Sequence, residues 1–366
     1  MAQPTGGLRV GIIGCGNISG IYMKNCRMLP GLQLVACADA VEARAEAKAT
    51  EHGIHALPVD ALMGRPDIDL IIDLTIPAAH SVVNQRALEA GKHVYTEKPL
   101  AVSRDDAMAT LALASRMGLR VGSAPDTFLG AGLQTCGRLI DEGVIGEPVA
   151  AVAFMAGHGP ESWHPDPAFF YRKGAGPMFD MGPYYLTALV SLLGPVVRVS
   201  GTARKSFAER IATSDARRGE HLAVEVPTHY AATLDFASGP VATMIMSFDI
   251  WTHNLPRIEI YGSEGTLSVP DPNTFGGAVR VKRSQDETWR DVPLTYPYSE
   301  NSRGLGASDM ALAIQQGRPH RASGELALHV LDLMESVQEA SEAGQYVRVR
   351  TTCPRPAAMP DAVAPL

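Results

Sequence analysis

The chain has 366 residues, 46% of them hydrophobic, with 39 acidic against 32 basic side chains and a net charge of −7. That length is roughly two domains with ordinary cores, and an acidic balance without any Lys/Arg run sets nucleic acid aside as a partner. No apolar run approaches the ~20 residues that span a bilayer, the start MAQPTGGLRVGIIG lacks the parts of a secretory leader, and the 5 cysteines form neither a C-x-x-C pair nor a zinc cluster. A cytoplasmic protein with reduced thiols, no metal and no membrane partner is expected.

The first strand is expected over Leu8–Ile13, running directly into Gly14-Cys15-Gly16-Asn17-Ile18-Ser19 and a helical stretch. In such a G-x-G-x-x-S turn Gly14 permits the tight bend and Gly16 lets backbone approach a pyrophosphate. Asn17 and Ile18 complete the cradle, and Ser19 is small enough for close helix packing. A second strand, LQLVACAD, ends in Asp39, where a carboxylate meets the adenosine ribose of a dinucleotide. Asp39 can accept from both ribose hydroxyls and would repel a 2′-phosphate. Ala40 adds no positive charge, so NAD is expected over NADP, with Arg44 the one side chain that could swing toward a phosphate.

Alternation continues: a helix around Ala40 to His52, the strand DLIIDLT, a helix from about Ala79 to Ala90, the strand KHVYTE, a helix around Arg104 to Arg116 and the strand LRVGSA. Strands alternating with helices mean a parallel, doubly wound α/β sheet. Ligands of such sheets sit beyond the carboxyl ends of the strands, so Thr75, Ile76 and Pro77 after one strand, and Glu97, Lys98 and Pro99 after the next, are expected to face the cofactor. An arbitrary Glu-Lys-Pro turn is a surface feature; its position makes Lys98 a candidate for proton chemistry beside a nicotinamide. His80, near the start of its helix, is a cofactor candidate that packing or capping would equally explain.

Gly14-x-Gly16, Asp39, the Glu97-Lys98-Pro99 turn and the stretch Gly174 to Tyr185 together resemble the glucose-fructose oxidoreductase, inositol dehydrogenase and rhizopine catabolism family. The resemblance runs through nearly the whole chain, including IEIYGSEGTLSVPDPN. It implies an N-terminal Rossmann domain, placed at 1–123, and an α+β substrate and oligomerisation domain with an open, largely antiparallel sheet, placed at 124–350. A Pro/Ala-rich tail is expected over 351–366. The second domain's elements fit: a helix at LQTCGRLIDEG, strands at PVAAVAFMAG, VRVSGTAR, HYAATLDF, VATMIMSFDI, RIEIYG and AVRVKR, then the long helix ELALHVLDLMESVQEASEAG and YVRVRT. The exposed face of that sheet often packs against another subunit in the family, which implies a homo-dimer or homo-tetramer.

The family pattern is Gly-Gly-Gly, then Asp-x-Gly-x-His, then an acid three residues on. Here Ala175 replaces the second glycine, Tyr184 the histidine and Thr187 the final acid. A free phenol holds its proton until about pH 10, so Tyr184 needs help, and a neighbouring Lys98 cation would favour its phenolate. Asp180, four residues earlier on the same helical face, would balance that charge, or simply cap the helix; Gly182 and Pro183 are expected in the first turn, where proline is tolerated. Tyr184 could equally be a buried hydroxyl bonded to Asp180. The loop HGPESWHPDPAFFYRKGAGP offers His158, Trp163, His164, Arg172 and Lys173 for substrate hydroxyls, a sugar face or an anionic group, with packing and solvation as the plain alternatives; Trp251, His253 and Arg303 farther along are further candidates, as is Asp126 after LRVGSA, which helix capping would explain.

The resemblance implies hydride transfer between NAD and a secondary hydroxyl of a sugar, glycoside or polyol, with Lys98, Tyr184 and Asp180 as the catalytic group. Two alternatives stand beside it. One is a redox-neutral glycosidase that passes through a transient 3-keto sugar and recycles its NAD. The other is a dinucleotide-binding regulator without turnover.

Overall fold

The computed structural model describes residues 6–360. Strands β1 (Leu8–Ile13), β2 (Leu32–Ala38), β3 (His55–Ala56), β4 (Leu70–Asp73), β5 (His93–Thr96) and β6 (Val121–Ser123) pair in parallel, in the order β3-β2-β1-β4-β5-β6. Between them run α1 (Ser19–Asn25), α2 (Glu42–His52), α3 (Val59–Gly64), α4 (Pro77–Glu89) and α5 (Arg104–Met117). This is the strand order of a doubly wound dinucleotide-binding sheet, with its switch point between β1 and β4. Every residue of β4 is buried, as befits a strand covered on both faces. β3 and α3 are absent from the sequence reading because two and six residues are too few for periodicity to register.

Downstream, α6 (Ala131–Asp141) leads into β7 (Pro148–Ala156), α7 (Gly176–Leu193) and β8 (Val196–Arg204), and β9 (Glu209–Ile211) pairs with β10 (His221–Ala223) as a small hairpin. β11 (His229–Phe236), β12 (Val241–Ser247), β13 (Ile258–Gly262), β14 (Gly265–Val269), β15 (Val279–Arg283) and β16 (Arg290–Val292) follow, then α8 (Leu305–Gln316), α9 (Gly324–Ala343) and β17 (Val347–Arg348). Nine of these strands form one sheet, β16-β15-β14-β13-β7-β12-β11-β8-β17, antiparallel at every junction but β7 with β12. β11 alternates: Tyr230, Ala232, Leu234 and Phe236 are buried while the residues between them are not, the period-2 signature of a sheet with one packed face.

Two compact units divide the chain, residues 1–130 with 300–331 and residues 131–299 with 332–366. The first unit thus takes in α8 and the start of α9, which the sequence reading assigns to the second domain. The cause is local. Asp126 Oδ2 accepts the N–H groups of Gly304 and Gly306, both at 2.9 Å, satisfying orphan donors at the start of α8. Asn25 Nδ2 donates to the carbonyls of Asn301 and Arg303 at 3.0 and 2.9 Å, and Ser123 N–H to Ala322 O at 3.1 Å. Of the expected tail, residues up to 360 belong to the second unit's packing: Cys353 is buried, Arg355 pairs with Asp141 at 2.5 Å and Met359 N–H donates to Gln134 Oε1 at 2.7 Å. Residues 361–366 lie outside the described residues. All five cysteines are buried and in no disulfide, and among the described residues no helix is long and apolar enough to cross a membrane.

Asp126 is enclosed, and burial, opposed by its two backbone bonds and reinforced by the Glu97 charge, raises its carboxyl to about 6. A carboxyl whose folded pKa lies above its unfolded value of about 3.9 contributes most stability when protonated and loses it as pH rises from about 4 to about 6. Asp126→Asn keeps an oxygen for Gly304 and Gly306 and removes the buried charge. Its stability advantage over the wild type, followed by chemical denaturation from pH 4 to 8, is expected to grow to about 1–3 kcal/mol by pH 6.5 and stay level above; a pH-independent difference contradicts this.

Candidate active site

The glycine turn is shaped by exclusion at one position and by space at the next. Gly14 has φ +102, and a Cβ there would stand 2.6 Å from the carbonyl carbon and oxygen of Leu74 and 2.8 Å from the nitrogen of Thr75. No L side chain fits. A Cβ on Gly16 would meet nothing within 4 Å, so the exposed surface there is open to a bulky group. Ser19 is fully buried, its hydroxyl donating to Gly16 O at 2.7 Å and its N–H at 3.2 Å. Asn17 is exposed and Ile18 half-buried between them. Asp39 Oδ2 accepts the N–H of Cys15 at 2.7 Å and Oδ1 that of Val41 at 2.8 Å. Each oxygen retains a second lone-pair site, so the carboxylate is fixed against the turn with acceptor capacity to spare. The cradle fits a dinucleotide: Gly14, Gly16, Asn17 and Ile18 would take the pyrophosphate and Asp39 the ribose.

At the ends of β4 and β5 the loops are tied together by buried polar groups. Asp73 Oδ1 accepts both the N–H and the hydroxyl of Thr75, at 2.9 and 2.6 Å, and burial raises the Asp73 carboxyl. His80 is fully buried, with Nδ1 2.7 Å from Pro99 O and Nε2 3.1 Å from Thr75 O. It bridges the loop after β4 and the loop after β5, and Pro77 opens α4 between Thr75 and His80. Glu97 Oε1 accepts the Tyr22 hydroxyl at 2.7 Å and Oε2 the N–H of Lys98 at 3.0 Å. Burial, and then the Glu97 and Asp126 charges, push the Tyr22 phenol well above its ordinary value, so it remains a donor. The Lys98 peptide is thereby held to α1, the helix that follows the glycine turn.

In the second unit, α7 begins at Gly176, with φ +83 and Pro177 in its first turn. Gly182 and Pro183 therefore lie inside the helix, not in its first turn as the sequence suggested. Pro177 already meets the preference for proline at a helix start, while Pro183 removes one internal hydrogen bond. A Cβ on Gly182 would press on the sulfurs of Met178 and Met334, at 3.1 and 3.3 Å. Asp180 and Tyr184 are both helical and one turn apart, Asp180 half-buried and Tyr184 buried. Tyr185 is fully enclosed, and burial raises its phenol to about 12; Thr187 is buried as well.

The loop before α7 divides into exposed and packed parts. Trp163 and Arg172 are exposed; His164 is half-buried, edge-on to Phe170 at 4.8 Å, its Nδ1 accepting the N–H of Asp166 at 3.0 Å. What holds this loop escaped the sequence. Arg210, on β9, binds Glu161 at 2.5 Å and Asp249 at 2.8 Å, and donates to His158 O at 2.7 Å. Tyr22, Asp73 and Arg210 carry no motif; of the three, only Asp73 left a signal, the Asp-x-Thr at a strand end that favours a side-chain-capped turn.

Fold and cradle together define an NAD-binding oxidoreductase with a Rossmann domain and a second, sheet-based domain. Residues 8–124 match the family model described as oxidoreductase family, NAD-binding Rossmann fold, and residues 133–268 that of the GFO/IDH/MocA C-terminal domain. The chain belongs to the GFO/IDH/MocA family. It is 27% identical over 352 residues to a 1,5-anhydro-D-fructose reductase of Ensifer adhaerens, covering 94% of this chain and 99% of that one. It is 26% identical over 355 residues to a D-apiose dehydrogenase of Paraburkholderia graminis, covering 93% and 89%. Among solved structures, levoglucosan dehydrogenase in complex with NADH superimposes with a TM-score of 0.80 at 20% identity, covering 94% of this chain and 100% of that one.

The two glycines separate folding from binding. Gly16→Ala, where the added methyl meets only open space, is expected to leave Tm essentially unchanged and to weaken NAD by about tenfold, measured by calorimetric titration. Gly14→Ala is expected to lower Tm as well. Unaltered NAD affinity in Gly16→Ala contradicts the cradle.

Proposed function

We propose that this protein oxidises a secondary hydroxyl of a sugar, glycoside or polyol, or reduces the corresponding ketone, with NAD as the redox partner. Bound NAD supplies the hydride acceptor at the carbinol carbon. Tyr184 takes the hydroxyl proton as the carbon–oxygen double bond forms, and Lys98 donates a hydrogen bond to the same oxygen and favours the phenolate, as a cation beside a phenol does. Asp180 balances the ammonium and orients it. On substrate, Trp163, His164 and Arg172 act from the loop before α7. Around the cofactor, Thr75, Pro77 and Glu97 shape the wall that His80 braces.

The observation that carries the reading is Lys98 itself. Its peptide is pinned by Glu97 just beyond the carboxyl end of β5, where open parallel sheets meet their ligands. Relatives that act on anhydrofructose and apiose and a fold neighbour solved with NADH support a carbohydrate and NAD in turn. The Asp39 carboxylate favours NAD over NADP for want of any compensating cation at Ala40. Homo-oligomers form through the outward face of the nine-stranded sheet, where Ala231, Val241 and Thr243 are exposed.

A panel of free sugars, polyols and chromogenic glycosides with NAD, followed for both NADH and released aglycone, tests the reaction. NADH in step with ketone is expected. Lys98→Met and Tyr184→Phe are each expected to lower kcat by about 10²–10⁴-fold, the usual worth of a positioned acid or base, with NAD still bound. Aglycone release without net NADH identifies the redox-neutral glycosidase instead, and full biological activity in Lys98→Met the regulator.

A further inference from the structure

We propose that the indole of Trp251, lying on the imidazole of His158, is a stacking platform for the C–H face of a pyranose ring. The inference rests on the carbohydrate reading above and narrows it to substrates that present a six-membered sugar ring. The two side-chain rings are 3.4 Å apart between centroids and 14° from parallel, yet Trp251 is 80% exposed. One face of the indole is occupied by the imidazole and the other is turned to solvent. Trp163, 66% exposed and edge-on to Phe170 at 6.1 Å, adds a second exposed indole to the same set of loops.

The stack is held from below. Arg210 Nη1 pairs with Asp249 Oδ1 at 2.8 Å, two residues before Trp251, and Arg210 Nη2 donates to the carbonyl of His158 at 2.7 Å. Ile250 N–H donates to Gly157 O at 3.0 Å, and His253 Nε2 lies 3.2 Å from Ala156 O. Glu161 completes the arginine's charge at 2.5 Å, and the side chains of Arg210, Glu161 and Asp249 are 6%, 6% and 9% exposed. A buried guanidinium with two carboxylates is costly unless well bonded. Here the guanidinium reaches both carboxylates and the carbonyls of His158 and Phe248, and it ties both ring-bearing loops at once.

A surface fixed before its ligand arrives loses little conformational entropy on binding. Burial, and then the Arg210 charge, hold His158 below its ordinary pKa, so the platform is a pair of uncharged rings near neutrality. A pyranose with equatorial hydroxyls offers a plane of C–H groups, and indole is the largest aromatic plane available to pack against it.

The chain has 3 tryptophans, so indole emission reads the platform without turnover. NAD-loaded enzyme is titrated with aldopyranoses and pyranosides, with steady-state kinetics on whichever is turned over. A saturable emission change is expected in the wild type, retained in Trp289→Phe and diminished in Trp251→Phe. KM for the sugar is expected to rise about tenfold in Trp251→Ala and to recover in part in Trp251→Phe, with kcat and NAD affinity little changed. An unaltered KM in Trp251→Ala overturns the platform, as does an emission change that survives undiminished in Trp251→Phe. Loss of subunit association with unaltered KM also overturns it, by making this face an interface between copies. If no sugar is turned over the carbohydrate reading fails, and the emission titration still decides on the platform.

Discussion

The nucleotide-binding half depends on the absence of one side chain. Where β1 ends, the backbone of Gly14 passes so close to the Leu74 carbonyl that a single methyl group could not be inserted. That contact brings the ends of β1 and β4 together at the switch point of the sheet. Gly14 N–H donates to Ala38 O at 2.8 Å and Leu74 N–H to Ile13 O at 2.7 Å, so the ends of β2, β1 and β4 are tied in one row. Asp39 and Thr75 then stand at fixed places beside the turn. The open surface at Gly16 has meaning only because its neighbour is so confined.

A second layer of order comes from carboxylates that are buried or half-buried and engaged in hydrogen bonds. Asp73 shapes the Thr75 turn, Glu97 holds the Lys98 peptide to Tyr22, and Asp126 gathers the start of α8 onto the sheet. Each accepts from backbone N–H groups as well as, for two of them, a hydroxyl. That pattern spends little on flexible ion pairs and much on fixed donors, which suits a site whose reacting groups must keep their positions through a catalytic cycle. In the second unit Arg210 plays the corresponding part for the loops around His158 and Trp251, with charge where the first unit uses peptide groups.

Most of the architecture was legible in the sequence because its signals are local. The strand, glycine turn and helix at Leu8–Asn25, the apolar run at Leu70–Asp73 and the alternation of β11 each declare themselves within a few residues. The assignment of α8 to the first unit was not legible. It rests on Asp126 meeting Gly304 and Gly306, partners almost 180 positions apart, and no periodicity encodes such a pairing. The interior proline of α7 was misread for a related reason: Pro177 and Pro183 both satisfy the rule for a helix start, and the helix begins at Gly176, φ +83, ahead of the first of them. At the candidate site, Gly14, Asp39 and Lys98 carried motif and position. Tyr22 and Arg210 carried neither, because their roles lie in what they touch.

The central claim is that Lys98 and Tyr184 act on one substrate oxygen beside bound NAD. A crystal structure with NAD and a sugar that binds without turning over tests it most directly. Lys98 Nζ and Tyr184 Oη should both lie within about 2.6–3.2 Å of the same sugar hydroxyl, on the carbon facing the nicotinamide. Density that puts either group beyond reach of that oxygen, with the sugar in place, would contradict it.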